Sequence, residues 1–183
     1  MKGIIILANG FEDTEAITTI DILRRAKIDI TTVAITDDLF IQTQTGLLIK
    51  TEKSINEISL NDYQFLIIPG GRAVAQNLLN NPIIDELVST FEANNKLIAT
   101  ICAAPSLVAK HGYFKGEQFT CYPSFEKYAT AGEYIEEKGV VVSNTHITSK
   151  AMAYTIDFAL AIVEKIKEKE VKEKVAKEIH GCK

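Results

Sequence analysis

Leu97-Ile98-Ala99-Thr100-Ile101-Cys102-Ala103-Ala104-Pro105-Ser106-Leu107-Val108-Ala109 is the longest nearly apolar stretch of the chain, and its reading decides the fold. Thr100, Pro105 and Ser106 interrupt it, so it falls well short of a membrane span. Its first part, Lys96 to Ile101, reads as a strand buried on both faces, because it is short, aliphatic and without polar alternation. From Ala103 the pattern reads as a helix start, with Pro105 in the first turn. Cys102 therefore stands on a tight strand-to-helix turn at a sheet edge.

Outward from that junction the same pattern repeats. Gly3 to Ala8 and Phe65 to Pro69 are further aliphatic strands, and Asp29 to Thr36 is another. Helical spacing lies between them: Thr14 to Lys27 carries Ile17, Ile20, Leu23 and Ala26, and Asn81-Pro82 opens a run with Ile83, Leu87 and Phe91. Phe40 to Lys50 around Gly46 predicts a hairpin, as do Val140 to Ser143 and His146 to Thr148 around Asn144-Thr145. Ala153 to Glu164 is helical, and residues 170–183 form a charged amphipathic helix and tail with Val171, Val175 and Ile179. No linker, repeat or low-complexity segment divides the chain, so 1–183 is expected to be one domain. Strands alternating with helices predict an α/β fold, a parallel sheet with helices on both faces. Ligands of such sheets bind beyond the carboxyl ends of the strands.

Composition narrows the partners. The chain has 183 residues, 46% apolar and 24% charged, with net charge −4. No basic block is present, so a nucleic-acid partner has no electrostatic footprint. The apolar run near the start, Ile4 to Ala8, is shorter than a secretory core, and no membrane association is expected. The three cysteines, Cys102, Cys121 and Cys182, are not spaced as a zinc site or a C-x-x-C couple, so no metal is expected. A reducing cytoplasm is the simplest location.

Three strand ends carry the chemistry. At Cys102 a helix start offers free N–H groups and a positive dipole end, which favour thiolate over thiol. The plain alternative is a buried structural cysteine. Glu15, just past the first strand, is close to the expected inner face of its helix. Its plain alternative is an ordinary helix-start carboxylate, a role for which Glu12 and Asp13 compete. Beside a thiolate, Glu15 works only if burial keeps it protonated, donating to sulfur and holding a proton for acid catalysis. Gly70 and Gly71, followed by Arg72, let the backbone approach a ligand and aim N–H groups at developing negative charge. A plain turn explains them equally. Neither phosphate-binding glycine motif occurs. His111, His146 and His180 have no evident path to the cysteine and read as surface histidines, which leaves a Cys-His pair unsupported.

These residues resemble the ThiJ/PfpI family, closest to its parkinsonism-associated deglycase branch, within the class I glutamine amidotransferase-like superfamily. The resemblance rests on Ile4-Ile5-Ile6-Leu7-Ala8-Asn9-Gly10-Phe11-Glu12-Asp13-Thr14-Glu15, Asp21-Ile22-Leu23-Arg24-Arg25-Ala26 and Ile68-Pro69-Gly70-Gly71. It continues through Ala99-Thr100-Ile101-Cys102-Ala103-Ala104-Pro105 and Asp157-Phe158-Ala159-Leu160-Ala161-Ile162-Val163-Glu164. It implies a flavodoxin-like three-layer sandwich, dimeric through the first helix and the Phe40 to Lys50 hairpin. It also implies Cys102 as nucleophile, Glu15 as protonated carboxyl, and the N–H groups of Gly71 and Ala103 as the oxyanion site.

The implied activity is cofactor-free conversion of small α-oxoaldehydes to hydroxy acids, or repair of early glycation adducts. The alternative is an oxidative-stress-responsive, chaperone-like or redox-sensing dimer in which Cys102 is oxidised, and a fold without turnover stays open beside both. Three departures from the branch stand out. Tyr122 replaces a histidine before Pro123, Lys150 replaces an arginine, and Thr45 stands near the position of a hairpin arginine. Tyr122, Lys150 and Arg72 are expected around the pocket. The protease-like branch has histidine after the nucleophile; Ala103 stands there, so an intracellular protease or amidase is discounted.

Overall fold

The computed structural model describes residues 1–182. In chain order, β1 (Lys2–Leu7), α1 (Asp13–Arg25) and β2 (Asp29–Ala34) precede the antiparallel hairpin of β3 (Phe40–Gln42) and β4 (Leu48–Lys50). After β5 (Lys53–Ser54) come β6 (Phe65–Ile68), α2 (Pro82–Ala93), β7 (Leu97–Ile101) and the short α3 (Pro105–Ala109). The last third holds β8 (Gln118–Phe119), β9 (Glu133–Tyr134), β10 (Val140–Val142), β11 (His146–Ser149), α4 (Thr155–Ile166) and α5 (Lys169–Ile179).

The main sheet has seven strands in the order β10-β11-β7-β6-β1-β2-β5. All neighbours are parallel except β10 and β11. Helices flank the sheet: α1, α4 and α5 pack together, as do α2 and α3. This is the flavodoxin-like sandwich. Without the short β5 and the antiparallel β10, the strand order reverses direction between β1 and β6, where such sheets open a crevice at their carboxyl edge.

Local chemistry explains the elements. Ile4, Ile5, Ile6 and Leu7 of β1 are buried on both faces, each contributing about 1.5–3 kcal/mol through removal of apolar surface from water. Glu12 caps α1 by accepting the Glu15 N–H at 2.6 Å. At α2 the Asn81 side chain accepts the Ile83 N–H at 2.9 Å, with Pro82 at the first helical position, where its missing donor costs nothing.

Three expectations change. Ile17 is 43% exposed, while Glu15, Ala16, Thr19, Ile20 and Leu23 form the inner face of α1. The three-residue spacing used to orient that helix drifts off a 3.6-residue turn. The helix expected from Ala153 begins at Thr155, after a 3₁₀ turn over Met152–Tyr154.

His146 is no surface histidine. Opening β11 beside β7, it is 3% exposed, and its ring nitrogens bond Glu92 at the end of α2 and Glu117 before β8. Burial alone would lower its pKa, but the two carboxylates outweigh that and raise it. Among the described residues no helix is long and apolar enough to cross a membrane, and no three side chains group as metal ligands.

Candidate functional site

The carboxyl ends of β1, β6 and β7 converge on Cys102. The residue follows β7 directly and takes φ +63°, a left-handed conformation that is costly for a residue with a Cβ and persists only where neighbours hold it. Two backbone bonds do so. The Cys102 N–H donates to Ser149 at the end of β11 at 2.8 Å, and its carbonyl accepts the Tyr122 N–H at 2.7 Å. The elbow leaves the thiol half-buried.

Glu15 reaches the same point from the first turn of α1. It is 1% exposed; Oε2 accepts the Gly70 N–H at 2.7 Å, while Oε1 has no hydrogen-bond partner. Gly70 separates the two side chains by the least possible volume. A Cβ on it would lie 2.6 Å from the Cys102 Cβ and 2.8 Å from Glu15 Oε2. Gly71, at φ +92°, packs against the turn after β1 so closely that a Cβ would meet the Glu12 nitrogen at 2.4 Å. Glycine is required at both positions.

Burial raises the Glu15 carboxyl to about 7, against the opposing pull of the Gly70 N–H, and the nearby Glu12 adds to the rise. Glu12 is itself raised, chiefly by burial. Burial and the adjoining Glu15 carboxyl push the Cys102 thiol up, and the N–H groups of Gly71 and Ala103, directed at the sulfur, offset only part of this. The following helix is five residues long and begins at Pro105.

The structure thus brings Cys102, Glu15, Gly70, Gly71 and Ala103 together. Gly70 gives no donor to a ligand, because its N–H is committed to Glu15. A cavity of about 610 Å³ opens over the thiol, and Tyr122 and Arg72 line it. Tyr122 is about half exposed. The Arg72 guanidinium is bonded to the Gln44 carbonyl.

Lys150 does not line the cavity. Its ammonium donates to the Glu136 carbonyl at 2.8 Å and its N–H to Gly139 at 2.9 Å, which hold it toward the segment before β10. Ala151, Met152 and Ala153 form that wall instead. Thr45 is also committed, donating to Asp13 at 2.6 Å. Sequence reasoning missed Glu12 as a wall of the cavity, although its place after β1 was a usable signal. Phe125 and Met152 carried no local signal, since loops far apart in sequence deliver them. Cys121 is wholly buried, with its thiol pushed up to about 12 by burial and Glu126.

Known proteins are similar to this chain along most of their length. The chain is 36% identical over 182 residues to Protein DJ-1alpha of Drosophila melanogaster, covering 96% of this chain and 82% of that one. The crystal structure of Drosophila melanogaster DJ-1beta superposes with a TM-score of 0.91 at 31% identity, covering 98% of each chain. Toxoplasma gondii DJ-1, in a structure described as oxidized, gives a TM-score of 0.89 at 32% identity over 97% of each. The model of the DJ-1/PfpI family matches residues 1–165. Sequence and backbone thus point to one lineage, and the chain belongs to the DJ-1/PfpI family.

Proposed function

We propose that the chain is a cysteine-dependent enzyme that converts small α-oxoaldehydes, or early glycation adducts, to hydroxy acids without a cofactor. The observation that carries this reading is the placement of a buried carboxyl and a strand-end thiol on either side of Gly70, under an open cavity. A carboxyl raised to about 7 matches the operating range of a general acid–base group.

The reaction balances internally. The Cys102 sulfur adds to the aldehyde carbon as its proton passes to Glu15, and the new alkoxide is protonated to a hemithioacetal. Glu15, again ionised, removes the proton on the former aldehyde carbon while the ketone oxygen takes up a proton, giving an enediol. Glu15 then returns its proton to the neighbouring carbon as the hydroxyl on the sulfur-bearing carbon gives up its own. The aldehyde carbon is thereby oxidised to a thioester and the ketone reduced to an alcohol. Water cleaves the thioester to the 2-hydroxy acid and frees the thiol. N–H groups of Gly71 and Ala103 oppose negative charge near the sulfur throughout. Turnover of methylglyoxal by purified protein, with conversion to lactate, tests the reading; equal turnover by Cys102→Ser rejects it.

A second reading is peroxide sensing, favoured by a buried Glu15 placed to hydrogen-bond an oxidised Cys102 sulfur across Gly70 and by similarity to a protein whose structure is described as oxidized. Here one peroxide oxidises the thiol to sulfenic acid with release of water, and a second gives sulfinic acid. Intact mass after mild peroxide treatment tests it, with failure of Cys102 to gain two oxygen atoms counting against. In either role the chain pairs with a second copy through α1 and the β3–β4 hairpin, a proposal supported by exposed Ile17, Leu47 and Leu48.

A further inference from the structure

The cavity over Cys102 is larger than a three-carbon oxoaldehyde requires. At about 610 Å³ it lies within the range of about 300–1,000 Å³ that encloses drug-sized ligands. Its walls are mostly apolar: Ala75, Phe125, Ala151 and Met152 come from three separate segments. Met152 is 50% and Tyr122 48% exposed at this cavity, apolar surface that a ligand body would remove from water.

Glu12 and Glu15 contribute carboxyls to the site, and both are buried. Arg72 lines the same cavity, and its bond to the neutral Gln44 carbonyl leaves its charge in place. The apolar walls, not charge, therefore select the ligand body.

Resting on the proposed oxoaldehyde chemistry, we infer that the preferred substrate is an oxoaldehyde bearing a bulky apolar or aromatic group, seated against Phe125 and Met152. Tyr122 contributes ring surface at this wall and has no acid–base task. The keto-aldehyde end lies at Cys102 and Glu15, and the apolar body displaces water from the wall.

The experiment compares kcat/KM of the purified full chain for methylglyoxal and phenylglyoxal. Phenylglyoxal is expected to exceed methylglyoxal by about tenfold or more, the discrimination typical of an added apolar group in a hydrophobic pocket. Ala151→Phe fills the wall and should reduce the phenylglyoxal to methylglyoxal ratio. Cys102-dependent turnover with methylglyoxal equal or preferred overturns this inference and leaves the proposed chemistry standing. Absence of turnover with both overturns that chemistry and this inference with it.

Discussion

Gly70 donates its N–H to Glu15 Oε2 at 2.7 Å, and its missing side chain is what allows Cys102 to approach from the other side. Gly70→Ala would force both neighbours to move, since the new Cβ falls 2.6 Å from the Cys102 Cβ. Overpacking of this kind costs about 1–3 kcal/mol, and displacement of reacting groups by about 1 Å lowers turnover about 10²-fold. Urea denaturation and methylglyoxal kinetics measure the two effects; a variant as active as the parent would show that close contact is not needed.

Glu15→Gln should separate thiol acidity from turnover. Removing the carboxylate relieves part of what pushes the Cys102 thiol up, so the alkylation midpoint of Cys102 moves to lower pH. Turnover nevertheless falls by about 10²–10⁴ because the proton carrier is gone. Alkylation is followed in a Cys182→Ser background, since Cys182 is exposed and reacts first. Both quantities rising together would contradict the assigned role.

The same carboxyl makes stability depend on pH. Glu15 is raised from 4.5 to about 7 in the folded chain, so between those values the folded state binds more protons than the unfolded one. The contribution of neutral Glu15 is fully present below 4.5 and lost as pH rises through about 7, up to about 3 kcal/mol. Denaturation midpoints across pH should show the parent weakening relative to Glu15→Gln over this window. Parallel curves would exclude a raised carboxyl.

At the other end of the sheet, His146 joins Glu92 and Glu117. Its pKa is raised by those partners, so their attraction is present below the ordinary value near 6.5 and lost as pH rises through the higher folded value. His146→Leu leaves two partly buried carboxylates without a cation, a loss of about 3–5 kcal/mol by the usual behaviour of broken buried pairs. Chemical denaturation at pH 6 measures it, and a loss below 1 kcal/mol would mean that water already compensates both carboxylates.

Several elements were legible because their signals are local. Aliphatic runs marked β1, β6 and β7, Asn81-Pro82 marked the start of α2, and turn residues marked both hairpins. Glu15 was singled out by its place after a strand, although the helical face used to support it was misaligned, as exposed Ile17 shows. Lys150 was misplaced because its direction depends on the Glu136 carbonyl, which no local pattern announces. His146 failed for the same reason: both its partners lie at least 29 positions away.

By itself the sequence determined a parallel sheet covered by helices, with a cysteine, a carboxylate and a glycine pair at neighbouring strand ends. Period and strand-helix alternation are properties of short segments, so they can be read without coordinates. Only the tertiary structure decided which donors face the sulfur, that Glu15 is buried beside it, and which side chains wall the cavity. Those outcomes depend on desolvation and approach distance between segments such as Glu15 and Gly70, 55 positions apart, which only packing sets.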